Sequence, residues 1–259
     1  MISCNLKGPG APGGIHNFGL GNILFQIATA ISLAKDLNTF ATFPDLKSSF
    51  FGEYQNNILA KVHTHGSKPS NNYNEQGFEY SKIPETDNIT LNGYFQSEEY
   101  FAHNRDIILD VLSPSLDVEG HIKKYSHLFL DKTVSLHIRR GDYVNLQDYH
   151  HLLSIDYYES ALNEFDYDRV VIFSDDIEWC KKNTNFKNQV FIEGESDYID
   201  MYLMSKIKNN IIANSTFSWW GAWLNNNEDR KIIAPNKWFG DKNSHTNTKN
   251  LIPKEWNKK

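Results

Sequence analysis

Residues 133–143 read T-V-S-L-H-I-R-R-G-D-Y, an apolar run that ends in two arginines, a glycine and an aspartate. Period-two alternation gives Val134, Leu136 and Ile138 one face of a strand, and His137 and Arg139 the other. Arg140 then stands at the strand's carboxyl end, Gly141 permits a sharp turn, and Asp142 follows it. Two adjacent guanidiniums repel each other and are costly to desolvate unless negative charge lies between them. Two arrangements supply that charge. Either a phosphate or diphosphate sits in the guanidinium forks, which match its oxygens bidentately, or Arg139 and Arg140 pair with the chain's own carboxylates.

Downstream of this stretch the pattern is regular. Short apolar segments at 133–139, 169–173, 190–192, 211–213 and 232–234 alternate with helical ones at 157–165, 177–183, 198–207 and 219–224. That alternation predicts a parallel sheet wrapped by helices. The final Lys258-Lys259 reads as a frayed tail. Upstream, a short strand over 1–6 leads through a glycine- and proline-rich loop, 8–21, into a helix that Asn22 can cap. Leu24, Ala28, Ile31 and Lys35 fall on one side of that helix. Further strands are expected at 39–43, ended by Pro44, and at 89–95. Residues 104–127 are helical in two pieces broken at Ser113-Pro114. Residues 45–88 carry no assignable pattern. The whole reads as α/β, with a first domain over 1–130 and a second over 131–259.

At 259 residues the chain buries a full core as one large or two small domains. Its net charge of -6 argues against general affinity for nucleic acid or acidic membranes and leaves room only for a local positive pocket. No apolar run of about 18 residues spans a membrane, and nothing at the amino end resembles a signal peptide. Cys4 and Cys180, far apart, read as reduced thiols of a cytosolic protein.

In an open parallel sheet, ligands bind beyond the carboxyl ends of the strands. Three such ends are chemically distinctive: Arg139-Arg140-Gly141-Asp142, Ser174-Asp175-Asp176, and Asn214-Ser215-Thr216-Phe217-Ser218. Asp175 with Glu178 forms a capping box for the next helix, or else accepts hydrogen bonds from a ribose or a guanine edge. The Asn214–Ser218 run either caps a helix or cradles a phosphate with hydroxyls and free backbone N–H groups. Trp219, Trp220 and Trp223 read as core packing more than as stacking platforms. Asp166-Tyr-Asp168 has the Asp-x-Asp spacing of a metal site but precedes its strand, and His63-x-His65 and His150-His151 lack a carboxylate frame. No metal is expected.

The motifs H-I-R-R-G-D-Y, F-S-D-D-I-E-W-C and N-S-T-F-S-W-W-G-A-W-L occur in that order. With G-L-G-N-I-L-F-Q-I-A near the start and G-Y-F-Q-S-E-E-Y-F between, they resemble glycosyltransferase family 11, the α-1,2-fucosyltransferases. The resemblance implies two Rossmann-like domains in a GT-B-like fold, with the donor-binding parallel sheet in the C-terminal half. It implies GDP-β-L-fucose as donor, the 2-hydroxyl of a terminal galactose in an oligosaccharide as acceptor, inversion at the anomeric carbon, and no cofactor or metal. The first domain would be short for the family and carry the acceptor side. Arg139 and Arg140 would then hold the diphosphate, His137 and Asp175 would face the guanosine, Ser215, Thr216 and Phe217 would close around the phosphates, and Ser174, Asn214 and Ser218 would count among the donor-binding residues. Gly21 and Asn22 would approach the donor from the N-terminal half. Asp142 is the candidate general base, or else orients an arginine. The sequence departs from the family pattern in the loop Gly8–Phe18 and at Ile23, where glutamine is usual. A non-catalytic nucleotide or glycan binder on the same fold, or a transferase with another acceptor, stays open. So does a cytoplasmic enzyme peripheral to a membrane bearing a lipid-linked glycan, and the oligomeric state is unassigned.

Overall fold

The computed structural model describes residues 1–6, 19–48 and 51–259, so most of the loop 8–21 lies outside the described residues. The chain divides into two compact units, Met1–Val118 with Thr248–Pro253 and Glu119–Asn247 with Lys254–Lys259. This division falls at 118/119, whereas the onset of the regular strand–helix pattern suggests 130/131. Residues 119–130 belong to the second unit because their side chains and carbonyls are used there. His121 and Tyr125 share the carboxylate of Glu195, and His127 O accepts from the Arg169 guanidinium.

The first unit is built on a parallel sheet in the order β1-β3-β2. β1 is Ile2–Cys4, α1 Leu20–Asp36, α2 Gly52–Gln55, β2 Asn71–Asn74, β3 Ile89–Asn92 and α3 Arg105–Val111. The expected strand at 39–43 reduces to a single bridge between Ile2 and Ala41, because Pro44 opens a 3-10 turn directly after it. β2 was not legible: N-N-Y-N is exposed and polar, and becomes a strand only by pairing with buried β3. α1 is buried on most of its circumference. Leu24 and Ala28 face the core, whereas Ile31 is half-buried and Lys35 exposed, so those four residues do not form one apolar stripe.

The second unit begins within α4, Leu116–Ile122. It continues β4 Thr133–Ile138, α5 Ile155–Leu162, β5 Arg169–Ser174, α6 Ile177–Asn183, β6 Gln189–Phe191, α7 Asp197–Lys206, β7 Asn209–Ile211, α8 Thr216–Trp223, β8 Ile232–Ala234 and β9 Asn257–Lys258. All six strands are parallel, in the order β6-β5-β4-β7-β8-β9. The tail is thus not frayed: β9 extends the sheet, and Lys259 Nζ reaches Glu164.

Every residue of β4 is buried, Ser135 and His137 included, because helices cover both faces of a parallel sheet. Its apolar face packs in a cluster with Tyr158, Leu162, Val170, Ile172 and Ile211. Trp219, Trp220 and Trp223 of α8 are buried and pack on one another, with Trp256 against Trp219. At about 25 cal/mol per Å² of apolar area, such large side chains carry much of this unit's stability.

In α7, Asp200 has a buried carboxyl oxygen without a hydrogen-bond partner. Burial pushes its pKa up to about 8, and the neighbouring Glu195 and Asp197 add to the effect. The folded state then holds a proton that the unfolded chain releases near pH 4, so this group's contribution to stability falls as pH rises from about 4 to 8. Asp200→Asn is expected to flatten that slope and raise Tm at pH 8 by roughly 2–4 °C, about 1 kcal/mol in a chain of this size. Thermal melts at pH 5 and pH 8 measure it, and an unchanged slope would contradict the assignment.

Candidate functional site

The order of the second sheet decides where a ligand can sit. From β4 the chain builds outward through β5 to β6, then returns to the other side of β4 with β7. The carboxyl ends of β4 and β7 therefore flank the point where the winding reverses, and open α/β sheets form their binding crevices there. Register places Ile138 beside Ser174 and Leu136 beside Ile211, so the loops that follow β4, β5 and β7 leave the same edge. Arg139, Arg140, Asp142, Ser174, Asp175, Asn214, Ser215, Thr216 and Phe217 all lie on those loops or at their ends.

Asp175 links two of them. Its carboxylate accepts from the Arg140 backbone N–H at 2.8 Å and pairs with Arg139 NH1 at 3.0 Å. Arg139 NH2 donates to Asp142 at 2.6 Å, and Arg140 Nε donates to Asp176 at 3.2 Å. The Arg140 guanidinium also lies 3.6 Å from the centre of the Trp179 ring. The arginines are thus charge-paired within the chain. Even so, Arg139 Nε is buried without a hydrogen-bond partner, as are His137 Nδ1 beside it and Asn214 Oδ1 on the β7 side. Buried orphan polar atoms are few in folded proteins, and three of them cluster at this crevice.

Several side chains do other work than the sequence suggested. Asp176, not Asp175, caps α6, accepting from the Trp179 N–H at 3.2 Å. Glu178 closes no capping box and pairs with Lys181. The Ser174 hydroxyl accepts from the Asp176 N–H at 3.0 Å and shapes the turn. Asn214 is buried, and its amide donates to His151 O at 2.8 Å and Trp238 O at 2.7 Å, tying three loops together. Ser218 is wholly buried, its hydroxyl directed at Ser215 O and Ala213 O, and is not presented to a ligand. Ser215 opens α8 without a side-chain cap, which leaves backbone N–H groups at that helix start. Asp142 is held by Arg139, the pairing expected of a carboxylate that orients an arginine.

His137 is buried against Phe217, with ring centroids 5.3 Å apart. Burial, with the Arg139 charge adding to it, drives its pKa down to about 3, so the imidazole is neutral at physiological pH and offers a lone pair or an N–H. Sequence reading gave no role to Tyr143 or Trp179, and it named Asp176 only as part of the Ser174-Asp175-Asp176 end. Tyr143 and Trp179 belong to quoted motifs, but only cation–π contact with an arginine marks them, and that needs coordinates.

Gly21 and Asn22 belong to the first unit. Gly19 is the N-cap of α1, so Asn22 lies inside the helix and does not cap it; its Oδ1 accepts from Gln96 Nε2 at 2.9 Å. No side chain caps that helix, and its first turn holds no acid. Ile23 is buried core, which explains an apolar residue there. Gln96 is set by an unusual turn. Glu75 accepts from the Tyr94 and Phe95 N–H groups, Phe95 has φ 53°, and Gly93 leaves no room for a Cβ against Glu75.

Asp166 pairs with Lys132 and Asp168 with Lys187 on the amino side of β5, away from the crevice. Among the described residues no group of three His, Cys, Asp or Glu side chains is placed to hold a metal ion. Cys4 and Cys180 are buried free thiols. No helix among the described residues is long and apolar enough to cross a membrane.

The fold is α/β, and two carboxylate-paired arginines stand at the switch point of the second sheet. The model of glycosyl transferase family 11 matches residues 20–259, and the chain belongs to that family. It is similar to the O-antigen biosynthesis glycosyltransferase WbnK of Escherichia coli, 41% identical over 62% of this chain and 59% of that protein. It is also similar to an alpha-1,2-colitosyltransferase of Escherichia coli, 36% identical over 63% of this chain and 60% of that one. These matches span about three fifths of the length of the curated relatives. The fold is shared with the fucosyltransferase NodZ from Bradyrhizobium, at a TM-score of 0.56 and 14% identity, covering 85% of this chain and 92% of that one.

Gly141 is required by the ion-pair array, since a Cβ there would come within 2.3 Å of Asp175 Oδ2. Gly141→Ala is expected to push that carboxylate off Arg139 and destabilise the fold by about 1–3 kcal/mol. Urea denaturation measures the loss. In an Asp175→Ala background the same change should cost markedly less, and equal losses in the two backgrounds would contradict this account.

Proposed function

We propose that the chain is a glycosyltransferase that moves L-fucose from GDP-β-L-fucose to the 2-hydroxyl of a galactose-terminated glycan, with inversion and without a metal. The observation that carries the reading is the crevice between β4 and β7, where the loop of Arg139 and Arg140 is tied to the loop that opens α8 by the Tyr143 hydroxyl and Asn214 O. Family membership supports the reaction class, and NodZ supports the fold. Two units that each contain a parallel sheet suit the Rossmann-like halves of a GT-B-like enzyme.

The chemistry follows from charge. As the glycosidic bond to the donor breaks, negative charge grows on the leaving nucleoside diphosphate. Preorganised guanidiniums and backbone N–H groups stabilise that charge more in the transition state than in the ground state. Arg139 is prepared for the exchange: its partly exposed guanidinium is held between two carboxylates, and an incoming phosphate oxygen competes with them for its terminal N–H groups. The neutral His137 adds no positive charge, so it contributes hydrogen bonding to the nucleoside end. In this scheme Asp142 orients Arg139, and the acceptor's base is unassigned.

A second donor deserves the same assay because one relative is named a colitosyltransferase. GDP-fucose and GDP-colitose are compared over a panel of galactosides, with chelator present. Acceptor-dependent GDP release with GDP-fucose is expected, and release with GDP-colitose alone would move the assignment to that sugar. GDP binding without release over any acceptor would favour a non-catalytic binder. Arg139→Ala, shown to be folded, should lower turnover on the order of 100-fold, about 3 kcal/mol of lost charge stabilisation. Undiminished turnover would remove the diphosphate role.

A further inference from the structure

Tyr143 closes the sequence motif that holds both arginines, and no role above uses it. Its ring carries the Arg139 guanidinium on one side, 5.2 Å from the centroid and within cation–π range. The His150 imidazole stacks on the ring at 4.3 Å, with planes 9° apart. The hydroxyl donates to Asn214 O at 3.1 Å, on the loop after β7. Asn214 in turn bonds His151 O and Trp238 O, and His150 bridges to Phe239. Burial pushes the Tyr143 phenol up to about 12, so the hydroxyl keeps its proton and remains a donor throughout the physiological range.

We infer that Tyr143 is a positioning residue that holds Arg139 in register with the β7–α8 loop, so that a nucleoside diphosphate meets both sides of the crevice in one prepared geometry. The inference rests on the diphosphate reading of the crevice and deepens it. The physical reason is the exchange that binding imposes on Arg139. Its partners, Asp142 and Asp175, are the same sign as the ligand, so the incoming diphosphate competes with them for the fork and repels them. A cation–π contact is indifferent to that exchange. The ring keeps its contact with the guanidinium carbon while the N–H groups change partners. The hydroxyl then fixes the ring to Asn214, and with it to the start of α8. Neither contact touches the ligand, so the effect passes through Arg139.

The test is a double-mutant cycle on GDP affinity, measured by calorimetry on the full chain, with Tyr143→Leu, Arg139→Lys and the pair. Tyr143→Leu is expected to weaken GDP binding on the order of tenfold. In the Arg139→Lys background, where the planar guanidinium is gone, the same change should cost at most about twofold. Tyr143→Phe retains the ring and should recover most of the affinity, with a residual loss from the missing tie to Asn214. Equal losses in both backgrounds would show a merely structural role and overturn the inference, even if wild-type binds GDP well. A wild-type chain that binds no GDP would overturn the diphosphate reading itself and this inference with it. Should Tyr143→Leu fail to fold, Tyr143→Met, which fills much of the ring's volume without a π face, takes its place in the cycle and the same outcomes decide.

Discussion

The organisation of the second unit depends on one carboxylate. Asp175 receives the Arg140 N–H and the Arg139 guanidinium at once, so it joins the end of β5 to the end of β4. Two neighbouring arginines at a strand end are unfavourable by themselves, and each needs a counter-charge placed without blocking the crevice. Asp175 and Asp142 take Arg139, while Asp176 and the Trp179 ring take Arg140. The exposed part of each guanidinium remains directed outward. Internal pairing of the arginines and the proposed anion site are therefore compatible: in that reading the carboxylates would hold the charge in place for a competing anion.

That arrangement has a cost visible in the backbone. The turn after β4 passes so close to Asp175 that a Cβ at 141 would have to displace its carboxylate. A comparable economy of space occurs in the first unit, where Glu75 packs against Gly93 and receives two N–H groups around a left-handed Phe95. In both places a carboxylate that accepts backbone N–H groups sets the geometry of a loop at the carboxyl edge of a parallel strand. Family membership and the likeness to NodZ agree with this placement, although neither speaks to how the individual side chains are held.

Much of the second unit was legible because its strands are short apolar segments separated by amphipathic helices. α6 and β8 fall where the sequence places them, and the others differ by a few residues at their ends. The first unit was harder. β2 consists of Asn-Asn-Tyr-Asn, which no propensity marks as a strand, and its formation depends on β3 offering a free parallel edge. Asn22 looked like a cap by composition, but the helix starts two residues earlier, at Leu20, because that side chain is buried in the core. Ser218 looked like a ligand hydroxyl and turned inward, since a helical position one turn from Ser215 O satisfies it locally.

Sequence alone determined the chemistry available at the crevice. The residue types at three strand ends, and the alternation that puts them at strand ends, follow from periodicity and from local turn chemistry. The tertiary structure decided which of those ends are neighbours and which side chains face the opening. Strand order is set by long-range pairing, and β7 returning beside β4 instead of extending past β6 is what brings Asn214 to the Tyr143 hydroxyl and Phe217 to the His137 ring. Nothing in the local sequence encodes that return. It arises because the sheet must bury both faces of its central strand, and a chain that winds outward in one direction has to come back to cover the other side.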